Sequence, residues 1–446
     1  MGVLWVLLVA SSTGPAAALQ ARGGVVELNE WIGTVCTSFD KVRVGECGER
    51  GWGLVAAKSI RRGDTVIEVP LAACLTSSSA REGVLGEELG KAERSAGEKF
   101  VPMSGEAALL ALQIMDVAEA WREAMPEDPG LPLVLTEDAQ CSSRSFAALR
   151  ENAIDDYEWL RRHMWADPPS LDEWLRATSL ALSRSFGVED RLVLAPGVDF
   201  VNHDDMLDPE FEPFRLRKSF FGGEALAFLA PVDVATDEEL RINYGPFGAA
   251  EFFETYGIVP SRGAALRAAS ACELRFELPA SDRFFDDKTA VLERGGYDEP
   301  FLEVGVGGEV DPELMRFLRL RELTGTDAFL LEPVFEAQLW DDFLAAPISR
   351  PNEEACLEAI ATECRAVADL LQKSTPPKAA PLLETVHQIE LDALQRTLDW
   401  VTVDLATLDT KEYYQERRLR ELGLDTEWSA DDAQWSTSRA PGSVDW

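Results

Sequence analysis

Two groups of short strand-like runs stand about a hundred residues apart in this chain, and that separation constrains the fold more than any other feature. The first group is Leu54-Val55-Ala56-Ala57 and Val66-Ile67-Glu68-Val69; the second is Leu192-Val193-Leu194, Leu226-Ala227-Phe228-Leu229 and Leu240-Arg241-Ile242-Asn243-Tyr244. Loops carrying Asp, Asn, Gly and Pro punctuate the second group. Between the groups, from about Ser77 to Arg184, apolar residues fall at helical spacing, most clearly over Ala107 to Ala120. Breaks occur at Met125-Pro126 and Asp167-Pro168-Pro169. A sheet-forming domain must therefore assemble from both sides of a helical insertion. The first two runs flank Arg61-Arg62-Gly63-Asp64 and are expected to form a β-hairpin with a glycine-containing turn.

Beyond about Arg262 helical periodicity returns. Cys356, Ile360, Cys364, Val367 and Leu371 fall on one face of a helix, and the stretch from Lys373 to Pro381 breaks it. The expected fold class is α+β: a β-rich domain over 22–262 with a helical insertion at about 80–182, followed by an all-α domain over 263–446. The first residues, Met1 to Ala21, read as a secretory signal peptide, with Val3 to Ala10 almost wholly apolar and small residues after them. That apolar run is far shorter than the roughly 18 residues of a membrane span, and no later run reaches that length.

The chain holds 79 acidic against 42 basic residues, a formal net charge of -37. Such a surface repels nucleic acid and anionic lipid and favours a basic protein or peptide partner. Seven cysteines, none at Cys-x-x-Cys spacing, and three histidines argue against a structural zinc site, and no metal is expected.

Three clusters combine special backbone residues with polar groups among apolar strands. Gly51-Trp52-Gly53 would let backbone approach a ligand closely, although glycine pairs more often mark a turn. Asp199, Asn202 and His203 alternate with apolar residues and need hydrogen-bond partners if buried. A metal site from His203, Asp204 and Asp205 would need further ligands, because adjacent side chains rarely converge on one ion. A hydrolase triad lacks a Gly-x-Ser-x-Gly elbow. Tyr244 and Tyr256, two of six tyrosines, flank Gly245-Pro246 and the amphipathic stretch Glu251 to Thr255.

In order, Gly51-Trp52-Gly53-Leu54, Ser183-Arg184-Ser185-Phe186, Asp199-Phe200-Val201-Asn202-His203 and Tyr244-Gly245-Pro246 through Tyr256-Gly257 resemble the motif series of SET-domain enzymes. The match is specific to the Rubisco large-subunit lysine methyltransferase group, in which a helical insertion splits the SET core and a helical substrate-binding domain follows. The resemblance implies an S-adenosylmethionine-dependent protein-lysine N-methyltransferase acting on a non-histone protein. A protein-histidine N-methyltransferase, an inactive SET-fold binding protein and a secreted acidic interaction protein remain alternatives.

By position, the resemblance implies Tyr244 as the catalytic residue. Arg50, Gly51, Trp52, Arg184, Asn202 and His203 would bind S-adenosylmethionine, and Arg184, Asp199 and Tyr256 would bind substrate. Arg50 stands where many relatives carry Glu, Gly248-Ala249 replaces a common Ser-Asn pair, and Ile258 replaces an aromatic residue. The chemistry suits these residue types: alignment and exclusion of water matter most, and aromatic faces favour a cation. The protein substrate would dock on the helical second domain. A signal peptide fits a plastid reached through the secretory pathway.

Overall fold

The computed structural model describes residues 22–424 apart from 118, 127–129, 132, 134–143, 190, 219–222, 246, 260–270, 333, 336–337 and 374–380. The leader at 1–21, Cys141, Pro246 and Arg262 thus lie outside the described residues. The chain divides into two compact units: Met1–Cys272 with Asp369–Asp392, and Glu273–Ala368 with Ala393–Trp446.

The first unit begins with α1 (Arg22–Val35), β1 (Val42–Glu46), β2 (Trp52–Ala56), β3 (Thr65–Pro70) and β4 (Leu75–Thr76). Five helices follow: α2 (Gly83–Ala96), α3 (Glu106–Ile114), α4 (Glu119–Ala124), α5 (Arg144–His163) and α6 (Leu171–Arg184). Strands resume with β5 (Phe186–Val188), β6 (Arg191–Leu194), β7 (Asn202–His203), β8 (Phe214–Lys218), β9 (Glu224–Leu229) and β10 (Glu239–Ile242), and α7 (Ala249–Tyr256) comes next. The strands form three sheets, ordered β1-β2-β10-β7, β3-β9-β8 and β4-β6-β5. Each sheet joins a strand from before the insertion to one from after it, as the spacing of the apolar runs requires.

The expected hairpin between 54–57 and 66–69 does not form. β2 pairs with β1 and β10, whereas β3 pairs with β9 in a different sheet. Alternation marks a strand but not its partner, and the intervening segment is tied elsewhere: Ile60 bridges Val234, and Gly63 N–H donates to the Ala230 carbonyl at 2.8 Å. The hairpin that does form joins β1 to β2 through a tight turn, where Cys47 N–H donates to the Gly51 carbonyl at 2.7 Å. Gly51 has φ +73°, a left-handed conformation that glycine adopts without steric cost.

One continuous core spans the sheets and the insertion, including Leu54, Val66, Leu110, Trp174, Val193 and Phe228. Helix α6 starts with a capping box, Ser170 Oγ accepting from Glu173 N–H at 3.2 Å and Glu173 Oε2 accepting from Ser170 N–H at 2.8 Å. It buries Trp174, Leu175, Thr178, Leu180 and Ala181 and ends at Arg184, a cation where the helix dipole favours one.

The later elements are β11 (Cys272–Glu277), α8 (Phe285–Arg294), β12 (Phe301–Val306), α9 (Pro312–Arg321), α10 (Arg350–Lys373), α11 (Pro381–Ala406) and α12 (Tyr414–Glu421). To the expected all-α domain they add a two-stranded sheet, β11-β12. Its signal is period two: Cys272, Leu274 and Phe276 are buried while Glu273 and Glu277 are exposed. On α10 Cys356, Ile360, Cys364 and Leu371 are buried together, as a 3.6-residue repeat dictates. Six cysteines are described, and all are free thiols. Among the described residues no helix is long and apolar enough to cross a membrane, and no group of His, Cys, Asp and Glu could hold a metal ion.

Candidate functional site

A cavity of about 750 Å³ opens in the first unit, and Arg184, Asp199, Tyr244 and Tyr256 all line it, with Phe186 and Phe214 on its apolar side. Four separate chain segments meet there. Arg184 arrives at the end of α6, Asp199 on the turn before β7, Tyr244 just after β10, and Tyr256 at the last turn of α7. Gly257, at φ +67°, closes that helix by donating its N–H to the Phe253 carbonyl.

Asp199 is the most desolvated charge on the cavity wall, its side chain having 0% exposure. Its Oδ2 accepts from Arg184 Nη1 at 3.2 Å and from Trp121 Nε1 at 3.0 Å, while its backbone carbonyl accepts from Arg184 Nη1 at 3.1 Å. Oδ1 is buried with no hydrogen-bond partner among the described residues. Burial pushes the Asp199 carboxyl above its ordinary pKa, and Arg184, Trp121 and the Gly197 backbone amide pull the other way. Such a group has unused hydrogen-bonding capacity at a place where leaving it unused is costly.

The two tyrosine rings lie 4.5 Å apart between centroids. The Tyr244 hydroxyl donates to the Val201 carbonyl at 2.8 Å, so its proton is committed and its oxygen lone pairs remain to accept. Burial pushes the Tyr244 phenol well above the ordinary range, and it lifts Tyr256 to about 12 with help from Glu251. Both are therefore neutral hydroxyls at physiological pH.

The other expected site residues form a neighbouring cluster rather than part of this cavity wall. Parallel pairing of β7 with β10 sets Asn202 opposite Arg241 and His203 opposite Ile242. His203 Nδ1 accepts from Tyr244 N–H at 3.1 Å, which leaves Nε2 to donate to Asp205 Oδ1 at 2.6 Å. Asn202 Nδ2 donates to the Trp52 carbonyl at 3.2 Å and to Glu239 Oε1 at 2.8 Å. Gly51 has open space where a side chain would stand, and Arg50 pairs with Glu239 at 2.7 Å. Thus Arg50, Gly51, Trp52, Asn202 and His203 lie together, and His203 joins their cluster to Tyr244.

This second cluster has features that fit an adenosyl ligand. Among the described residues no donor reaches Asn202 Oδ1, and the space beside Gly51 is clear. A free acceptor oxygen in the same cluster as a half-buried glycine with no side chain to block approach suits a flat, donor-bearing molecule.

Sequence reasoning missed three participants. Trp121 reaches Asp199 across 78 positions of sequence from the six-residue helix α4, where no local pattern marks it. Its ring also packs on Trp31 of α1, centroids 5.5 Å apart. Asp205 belonged to a rejected metal cluster and instead holds the His203 ring. Glu239, the first residue of β10, carried a readable signal: an acid at the head of a strand whose Leu240 and Ile242 are buried needs a partner if it is covered too.

Comparison with known proteins supplies the context. A family described as the SET domain matches residues 51–245, and one described as Rubisco LSMT substrate-binding matches residues 279–375. The chain is 24% identical to the chloroplastic ribulose-1,5 bisphosphate carboxylase/oxygenase large subunit N-methyltransferase of Nicotiana tabacum, over 87% of this chain and 84% of that one. It is 27% identical to the chloroplastic [fructose-bisphosphate aldolase]-lysine N-methyltransferase of Arabidopsis thaliana, covering 84% of this chain and 82% of that one. Among solved structures, the SET domain of LSMT bound to lysine and AdoHcy superposes with a TM-score of 0.77 at 24% identity, covering 94% of this chain and 100% of the other. Rubisco LSMT bound to AdoMet gives a TM-score of 0.74 at 24% identity, covering 93% and 99%.

Proposed function

We propose, from the premise that this chain joins a SET domain to a Rubisco LSMT substrate-binding domain, that it is an S-adenosylmethionine-dependent protein-lysine N-methyltransferase acting on a non-histone protein. The observation that carries the reading is the convergence of Arg184, Asp199, Tyr244 and Tyr256 on one cavity, with His203 bonded to the Tyr244 N–H and the adjacent Asn202 bonded to the strand that follows the Gly51 turn.

S-adenosylmethionine, when bound, supplies a methyl group on a positive sulfonium. Asn202, His203, Arg50, Gly51 and Trp52 are the residues assigned to hold it, with Arg184 between it and the substrate. The chain's own task is to bring a neutral amine into line with that methyl and to exclude water. Tyr244 orients the amine: its hydroxyl proton is held by Val201, so its oxygen accepts an N–H and leaves the nitrogen lone pair free. Tyr256 supplies an aromatic face to the substrate cation. Asp199, with an open buried oxygen, binds the lysine as an ammonium ion before proton loss. A lysine amine of ordinary pKa near 10.4 arrives mostly protonated, so this contact matters at neutral pH.

The removal of one hydroxyl tests the assignment. Tyr244→Phe should lower methyl transfer by about a hundredfold or more while S-adenosylhomocysteine affinity stays within about threefold of wild type. Wild-type turnover in that variant would remove Tyr244 from the mechanism. Incubating a proteome with enzyme and labelled methyl donor, followed by mass spectrometry, identifies the target and distinguishes lysine from histidine.

The chloroplastic relatives support a plastid destination, and we assign residues 1–21 as a signal peptide that begins the route. A fluorescent fusion carrying the native amino terminus should reach the plastid; a diffuse cytosolic signal would refute the assignment. The protein substrate is assigned to the second, mainly helical domain, in line with the substrate-binding family matched there.

A further inference from the structure

Arg50 meets the methyl-donor cluster through an intermediary. Its Nε and Nη2 donate to Glu239 Oε2 at 3.0 and 2.7 Å, and the other oxygen of the same carboxylate, Oε1, accepts from Asn202 Nδ2 at 2.8 Å. The second hydrogen of Asn202 Nδ2 goes to the Trp52 carbonyl at 3.2 Å. Together these bonds use both amide donors and fix which way round the amide lies, nitrogen inward and Oδ1 free to accept.

The surroundings leave little room for another arrangement. A Cβ added at Gly53 would stand 2.7 Å from Asn202 Nδ2, 2.7 Å from Cys47 Sγ and 2.8 Å from Glu239 Oε1, so only glycine admits this packing. The Glu239 side chain is 11% exposed, and such a carboxylate needs a counter-ion. Its alternative cation, Arg241, lies 3.7 Å away and is already engaged by Asp204 at 2.5 Å. Arg50 thus supplies most of the neutralisation, from a tight turn that Gly51 closes.

We propose that Arg50 is a positioning residue, acting through Glu239 to lock the Asn202 amide with its oxygen toward a hydrogen-bond donor of the adenosyl ligand. This rests on the methyltransferase reading of the same site. The link has a chemical direction: arginine neutralises Glu239, Glu239 orients Asn202, and Asn202 meets the ligand.

Calorimetric titration of the full chain with S-adenosylhomocysteine tests it. Arg50→Met and Glu239→Ala should each weaken binding by about tenfold, and the double variant should be no weaker than the worse single, because both remove one link. Arg50→Lys should weaken binding less than Arg50→Met, since it retains the charge while losing the two-donor contact with Glu239. Losses that multiply in the double variant, or wild-type affinity in Arg50→Met, would overturn the relay. A merely structural role would move the urea midpoint and leave the affinity of the folded protein unchanged, which also counts against it. Absence of binding by the wild type would bring down the methyl-donor reading itself, whereas wild-type binding with multiplying losses brings down the relay alone.

Discussion

Two buried carboxylates, Asp199 in the first unit and Glu353 in the second, face the same physical problem and meet it differently. Glu353 is fully buried, and both its oxygens are taken: Arg319 Nε pairs with Oε1, while Arg319 Nη2 at 3.4 Å and Lys411 Nζ at 3.3 Å reach Oε2. Lys411 in turn pairs with Asp404 at 2.5 Å, and Arg319 donates to the Leu344 carbonyl at 2.9 Å. That network is closed. Asp199 has two donors on one oxygen and none on the other, and it lies on a cavity wall. A closed network contributes to holding a fold, whereas an open one holds a place for something else.

Breaking the closed network should have the largest effect. Arg319→Met leaves Glu353 with Lys411 alone and should cost about 3–5 kcal/mol of stability, measured by guanidinium unfolding of the full chain. A loss below about 1 kcal/mol would mean that the pair is not the anchor its burial implies. The open site predicts the reverse division between stability and activity. Asp199→Asn should lower kcat/KM by roughly a hundredfold, about 2–3 kcal/mol, while stability at neutral pH holds or rises. The sign follows from burial: the folded state favours the protonated carboxyl, so an ionised Asp199 detracts from stability as pH rises through its raised pKa, and a neutral amide avoids that. Marked unfolding with unchanged turnover would reverse the comparison.

Trp121→Phe sharpens it, because this donor comes from the insertion. Removal of one hydrogen bond to a charged acceptor should cost about 2 kcal/mol and reduce turnover as well. A stability loss without an activity loss would make Trp121 a packing residue only. The smallest expected effect is a pH limb that does not occur. Raised phenols stay neutral until well above pH 10, Tyr256 titrating at about 12, so kcat/KM should climb toward pH 10 as the substrate amine loses its proton. A fall between pH 9 and 10 that Tyr256→Phe abolishes would contradict the buried, neutral state of that tyrosine.

What could be read from the sequence follows from the range of each signal. The strands at 191–194 and 224–229 and the apolar face of α10 declare themselves through periodicity within a few residues. Pairing is a long-range property, so Val66 to Val69 read correctly as a strand and wrongly as the partner of Leu54 to Ala57. The sheet β11-β12 was legible in the alternation of Cys272, Leu274 and Phe276, which the helices around it obscured. At the site, the motif residues Arg184, Asp199, Tyr244 and Tyr256 meet at one cavity. Trp121 was invisible because it matters only through a partner far along the chain, and Glu239, although its place at the head of β10 signals a need for a partner, does not say which one.

The tyrosine helix α7 buries Ala249 and Phe253 against Leu383 and Val386, residues of a late segment that belongs to the first unit. During synthesis from the amino terminus, the ribosome delivers Tyr256 long before the residues that cover its helix. The whole of the second unit's first stretch, Glu273–Ala368, must emerge in between. The site therefore matures late. A chain released early, or one cut after Cys272, would expose the apolar side of α7 to solvent and to chaperones. Burial of the helix that carries Tyr256 is in this way timed by translation of the first stretch of the second unit.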